Sequence, residues 1–90
     1  MVTVAPEIPG GLELIRHLST KNIISSIGHT NATYAQAVEG IKSGARSTTH
    51  LFNAMSPLAH RDPGAVGAIL DNDNIFAELI LDGIHIHQAI

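Results

Sequence analysis

A parallel α/β sheet is the fold class this sequence predicts, and three observations lead there. Short apolar runs alternate with segments whose apolar residues recur at helical spacing, the pattern of βα units. Successive runs are followed by His29, His50 and Asp82, which gathers polar chemistry along the carboxyl edge of such a sheet. The 90 residues are 44% apolar and only 14% charged, a balance suited to elements covered on both faces.

Val2-Thr3-Val4-Ala5 predicts a first strand, stopped by Pro6. Pro9-Gly10-Gly11 opens a helix in which Leu12, Ile15 and Leu18 form one apolar stripe. Asn22 to Ile27 reads as a second strand, broken by Gly28. Thr30 or Asn31 is placed to cap the next helix, whose apolar face is Tyr34, Ala37, Val38 and Ile41. Gly44 closes that helix as a C′ glycine does. Ala45 to Thr49 forms a third strand with His50 at its exit. Ser56 to Gly64, with its His-Arg-Asp-Pro-Gly stretch, reads as a functional loop or lid. Val66 to Leu70 fits strand or helix, and strand is the reading taken. Asp71 to Asn74 is a turn, and Ile75 to Leu81 a further strand leading into Asp82-Gly83-Ile84-His85.

Composition excludes several functions. The net charge is −3 and the five Lys and Arg form no basic stripe, so nucleic acid is not an expected partner. No apolar run approaches the roughly 18 residues of a membrane span, and residues 1–20 lack the basic head and apolar core of a signal peptide. There is no cysteine, which fits a reducing compartment. A cytoplasmic chain without a membrane partner is expected. Gly-x-Gly-x-x-Gly, Walker and Gly-x-Ser-x-Gly motifs are absent.

His29 and His50 carry the strongest chemical signal. One such histidine reads as a strand terminator bonded to backbone; two at consecutive strand exits point to a shared metal. Adjacent strands lie about 4.8 Å apart, and two nitrogens bound at about 2.0–2.1 Å to one tetrahedral zinc lie roughly 3.3 Å from each other. A catalytic zinc needs about three protein ligands and an open water position, and only two are evident here. His85 reads as a ligand, a substrate hydrogen-bonder, a general acid/base or a simple cap, with Asp82 either orienting it or ending the strand. Arg61 is either a surface residue or an anion clamp. Asn53-Ala54 is read at a helix start, where backbone N–H groups bind an anion or a sugar oxygen. Glu7 is read as solvated, and His17, His60 and His87 are weaker candidates.

Five pieces of the chain, in order, resemble N-acetylglucosamine-6-phosphate deacetylases of the amidohydrolase superfamily. They are Val4-Ala5-Pro6-Glu7, Gly28-His29-Thr30-Asn31-Ala32, Thr49-His50-Leu51-Phe52-Asn53-Ala54-Met55, His60-Arg61-Asp62-Pro63-Gly64 and Asp82-Gly83-Ile84-His85. The His-Leu-Phe-Asn-Ala-Met string followed by Arg-Asp-Pro-Gly is the specific part. Thr30 replaces the more usual Ser, and Gln88 stands where Pro is common.

The resemblance implies that residues 1–90 are a partial domain, about strands four to seven of a metal-dependent (β/α)8 TIM barrel, whose closed form needs about 250 residues. It implies His29 and His50 as metal ligands, with zinc the leading ion and iron, cobalt or manganese possible. Asn53 and Ala54 would contact substrate, Arg61 its phosphate (in some members from a neighbouring subunit of a homodimer), and Asp82, Gly83, Ile84 and His85 the sugar pocket. The substrate would be an amino-sugar phosphate, N-acetylglucosamine 6-phosphate, cleaved to acetate and glucosamine 6-phosphate in amino-sugar catabolism. The family's ligating glutamate would lie upstream of Met1 and its catalytic aspartate beyond Ile90, so no catalytic residue falls within this chain and it is expected to be inactive alone. The competing enzyme class is a dihydroorotase- or deaminase-like amidohydrolase, disfavoured because those substrates carry no sugar phosphate to meet Asn53 and Arg61. Outside enzymes, the alternatives are a self-associating α/β fragment and a metal-free phosphate-binding module.

Overall fold

The computed structural model describes residues 1–90. Its elements run β1 (Val2–Val4), α1 (Gly11–Thr20), β2 (Ser25–Ile27), α2 (Tyr34–Lys42), β3 (Ser47–Thr48), α3 (Gly64–Leu70) and β4 (Phe76–Ala77). The four strands form one sheet in sequence order, every pair parallel. Three βαβ crossovers therefore follow one another without a reversal. Helices α1 and α2 touch, as do α2 and α3, so all three share one side of the sheet.

The core on that side follows from the predicted stripes. Val4, Ile15, Leu18, Ile27, Ile41 and Ala45 make one buried cluster under α1 and α2. Alanines let the next pair of helices approach closely: Ala32 and Ala37 meet Ala65 and Ala68. The opposite face is not covered by helices, contrary to the expectation of cover on both faces. It carries hydroxyls instead. Thr49 Oγ1 lies 2.7 Å from Ser26 Oγ and 2.9 Å from Thr3 Oγ1, and Ser47 Oγ donates to Glu78 Oε1 at 3.0 Å. Gly28 is needed where this face narrows, because a Cβ there would stand 2.8 Å from Thr49 Cβ. No helix is long and apolar enough to cross a membrane.

Two local readings are corrected. Val66 to Leu70 lies in helix α3, not in a strand. Parallel strands cannot be joined by a tight turn and require a crossover, so the apolar run between β3 and β4 must be that crossover. Its lack of a polar face, which made it look like a strand, reflects burial of Gly64 to Ile69. The cap of α2 is Thr33, not Thr30 or Asn31. Thr33 and Gln36 form a reciprocal capping box, Gln36 N donating to Thr33 Oγ1 and Thr33 N to Gln36 Oε1. Gly10 and Gly44 flank their helices as expected, in left-handed and positive-φ conformations.

Candidate functional site

Strand order alone sends β2 and β3 to the same edge with His29 and His50 just beyond their ends. The chain then brings the two rings together by an unusual backbone path. Thr30 pairs with Met55 as an isolated parallel bridge, Thr30 N donating to Ala54 O at 3.0 Å and Ser56 N to Thr30 O at 3.1 Å. The segment after β3 must fold back sharply to make that bridge. It does so through positive φ at His50, Phe52 and Ala54, while His29 is also positive at 47°. Such conformations cost non-glycine residues about 1–3 kcal/mol each and persist where surrounding contacts enforce them; histidine is among the residues that tolerate them best.

The result is a close imidazole pair. His29 Nε2 and His50 Nε2 are 3.0 Å apart, with ring centroids 4.7 Å apart and planes at 76°. His50 Nδ1 lies 2.9 Å from the Asn53 carbonyl oxygen. A carbonyl only accepts, so Nδ1 carries the proton and Nε2 keeps its lone pair. The donor set suits a divalent ion: two Nε2 atoms at nearly the roughly 3.3 Å expected for two ligands of one tetrahedral zinc, one with its tautomer fixed from behind. No group of three His, Cys, Asp or Glu forms around them.

A shallow groove beside the pair is lined by Glu7, His29, Thr30, Asn31, Ala54 and Met55. Glu7 is not the solvated side chain expected. Half-buried, it accepts from Thr30 Oγ1 at 2.5 Å and from Asn31 N at 2.7 Å. Its position just beyond β1 was the available signal, since it shares a sheet edge with His29.

The other sequence candidates are distributed around this centre. Asn53 and Ala54 lie in the fold-back turn and not at a helix start, so the anion-binding argument from a helix terminus does not apply to them. The non-glycine positive-φ path through Phe52 and Ala54 prevents a helix from starting there. Asn53 Nδ2 is nevertheless a buried donor without an acceptor. Arg61 is exposed at a turn closed by Ala59 N and Asp62 O at 3.1 Å, and no hydrogen bond or ion pair joins it to the histidines. His17, His60 and His87 are exposed and apart from the pair.

Asp82 to His85 form their own tight turn, unconnected to the pair by any hydrogen bond. Asp82 Oδ1 accepts from Ile84 N and His85 N, both at 2.8 Å, and Oδ2 lies 2.7 Å from His85 Nδ1. Asp82 thus orients His85, one of the two roles the sequence left open. The backbone N–H of His85, then that of Ile84, then the His85 ring hold the Asp82 carboxyl at about 2, below its usual 3.8. Because the folded pKa is depressed, the turn gains stability from ionised Asp82 above pH 3.8 and loses it as pH falls through about 2. A carbon-detected NMR titration of the Asp82 carboxyl is expected to show a midpoint near 2. A midpoint at or above the usual value would contradict the turn.

No family model matches the chain. N-acetylglucosamine-6-phosphate deacetylase of Bacillus subtilis is 52% identical over 87 residues, covering 97% of this chain and 22% of that protein. N-acetylgalactosamine-6-phosphate deacetylase of Escherichia coli is 43% identical over 89 residues, covering 99% of this chain and 24% of that protein. The structure of a mutant N-acetyl-D-glucosamine-6-phosphate deacetylase from Mycobacterium smegmatis, in complex with N-acetyl-D-glucosamine-6-phosphate, superposes with a TM-score of 0.97 at 43% identity. That match covers 99% of this chain and 23% of the other. The chain therefore spans about a quarter of the length of the relatives it matches. By sequence and fold alike, it is a homologue of one segment of the N-acetylglucosamine-6-phosphate deacetylases.

Proposed function

We propose that this chain is the part of a metal-dependent N-acetylglucosamine-6-phosphate deacetylase that carries two metal ligands and much of the sugar-phosphate pocket. The observation that carries the reading is the 3.0 Å approach of His29 Nε2 and His50 Nε2, with the His50 tautomer set by the Asn53 carbonyl. The four parallel strands are then an arc of a (β/α)8 barrel, about strands four to seven, and the hydroxyl face made by Thr3, Ser26 and Thr49 points to its interior.

His29 and His50 would hold a divalent ion, zinc first and iron, cobalt or manganese as alternatives. Such an ion supplies the acidity that makes water a nucleophile near neutral pH. The chain's own residues bind and orient. The unpartnered Asn53 Nδ2 donates to a sugar or acetyl oxygen, and the Ala54 backbone lies beside it. Arg61, free of internal partners, offers its planar donor fork to the 6-phosphate, across a homodimer interface in the complete enzyme. Asp82 fixes the proton on His85 Nδ1, leaving Nε2 to accept from a sugar hydroxyl, with Gly83 and Ile84 walling the pocket. The reaction is amide hydrolysis at the 2-acetamido group in the cytoplasm. With no third ligand beside the pair, the chain on its own is expected to release no acetate.

A chimera tests the whole reading. Residues 1–90 replace the homologous segment of the Bacillus subtilis relative, and acetate release is measured on N-acetylglucosamine 6-phosphate, its galacto epimer and the unphosphorylated sugar. The expected result is turnover of the gluco 6-phosphate, at least tenfold slower turnover of the epimer, and almost none without phosphate. A folded, zinc-loaded chimera that releases no acetate contradicts the proposal. One that prefers the galacto sugar, as the name of the Escherichia coli relative would suggest, overturns the choice of epimer.

A further inference from the structure

Two imidazoles held in left-handed backbone conformations need something to hold them. On the β3 side the restraint is visible: the bridge between Thr30 and Met55 and the bond from His50 to Asn53. On the β2 side, the side chain that bonds Thr30 and Asn31, the two residues directly after His29, comes from just beyond β1. Glu7 uses both carboxylate oxygens there, Oε2 on the Thr30 hydroxyl at 2.5 Å and Oε1 on the Asn31 N–H at 2.7 Å. The Thr30 hydroxyl in turn accepts from Ala32 N at 3.0 Å. Its proton is thereby committed to Glu7.

Thr30 is consequently fixed through its hydroxyl, its N–H and its carbonyl at once. His29, one residue earlier with φ of 47°, has no freedom to relax into an extended conformation without breaking that set. We infer that Glu7 is a positioning residue for the imidazole pair: it latches the turn after β2 so that His29 Nε2 stays facing His50 Nε2. This rests on the reading of that pair as a metal site. Glu7 is not itself a third ligand, since it forms no three-residue donor cluster with the two histidines. Charge-assisted bonds to a hydroxyl and an amide are stronger than neutral ones, so the latch suits a carboxylate. Partners bonded directly to a metal ligand change metal affinity by about 10–100-fold, and Glu7, which acts through the residues after His29, is placed at the lower end of that range.

The test uses the 90-residue chain and two readouts. The first needs no metal: NMR cross-relaxation between the His29 and His50 rings, whose centroids are 4.7 Å apart. The second is affinity for Co2+, followed by its visible absorption. Glu7→Ala is expected to lose the ring cross-relaxation and at least tenfold in Co2+ affinity. Glu7→Gln, which keeps an acceptor for Asn31 N and a polar partner for Thr30, is expected to recover most of both and to leave the Co2+ spectrum unchanged. Thr30→Val is expected to reproduce the Glu7→Ala loss, and the double variant to add little, because both cut one latch. Ile15→Val, which thins the core beneath α1, is expected to lower the melting temperature without moving either readout.

If Glu7→Ala leaves the cross-relaxation and the affinity within twofold of the parent, the inference is overturned. If Glu7→Gln is as damaging as Glu7→Ala and changes the Co2+ spectrum, Glu7 is a ligand and the inference is again overturned. A parent chain that shows no ring cross-relaxation also overturns it. A parent that shows cross-relaxation, lost in Glu7→Ala, but binds no Co2+ leaves the latch standing and removes the metal reading alone.

Discussion

Replacing His50 by alanine lowers the affinity of the chain for zinc by at least 100-fold, measured by competition with a chromophoric chelator. The scale follows from the geometry. Loss of an outer partner of a metal ligand costs about 10–100-fold, and His50 is itself a proposed ligand whose removal leaves His29 alone. The fold should tolerate the change. His50 holds φ at 37°, so His50→Gly removes a strain of about 1–3 kcal/mol against a glycine penalty of about 0.5–1 kcal/mol. His50→Gly should therefore melt, without metal, at or slightly above the parent temperature while binding zinc as poorly as His50→Ala. If either variant bound zinc within threefold of the parent, His50 would not be a ligand.

The largest effect on stability is expected at Gly64. It begins α3 with φ of 60°, and an added Cβ would lie 2.7 Å from Pro57 O and 2.8 Å from Ser56 O. Both obstacles are backbone atoms and cannot rotate away. Gly64→Ala therefore combines a left-handed penalty of about 1–2 kcal/mol with displacement of the loop base. The disturbed residue, Ser56, is a hub: its hydroxyl donates to Ala32 O at 2.5 Å and accepts from Ala65 N at 2.8 Å. A total of about 2–4 kcal/mol is expected, a fall in melting temperature of roughly 8–30 °C for a domain of this size. Because the same backbone closes the base of the Arg61 loop, the phosphate binding proposed for Arg61 should weaken with it. A melting temperature within a few degrees of the parent would show that the loop base yields freely.

These two sites also mark how far the sequence could be read. The histidine pair was legible because parallel strands in order must deliver their exit residues to one edge, and Gly28 and Gly44 mark where β2 and α2 end. The stripes Leu12, Ile15, Leu18 and Tyr34, Ala37, Val38, Ile41 gave α1 and α2 through helical spacing alone. The run from Val66 to Leu70 reads as a strand because it is buried nearly all round, and periodicity disappears when no face is polar. The capping box Thr33-Tyr34-Ala35-Gln36 is present in the sequence, but Thr30 offers the same hydroxyl closer to the strand. The fold-back after β3 could not be read at all. Its positive φ angles fall on His50, Phe52 and Ala54, of which only histidine has any preference for the left-handed region and none is the glycine that marks such a turn. Glu7 reads as solvated for a related reason: its partners, Thr30 and Asn31, meet it only once the β1 and β2 exits stand side by side.

Zinc anomalous diffraction from crystals of the metal-loaded chain tests the central claim most directly. One zinc peak is expected within about 2.0–2.1 Å of both His29 Nε2 and His50 Nε2, with His50 Nδ1 still on the Asn53 carbonyl. A peak held by only one of these rings, or by their Nδ1 atoms, would contradict it.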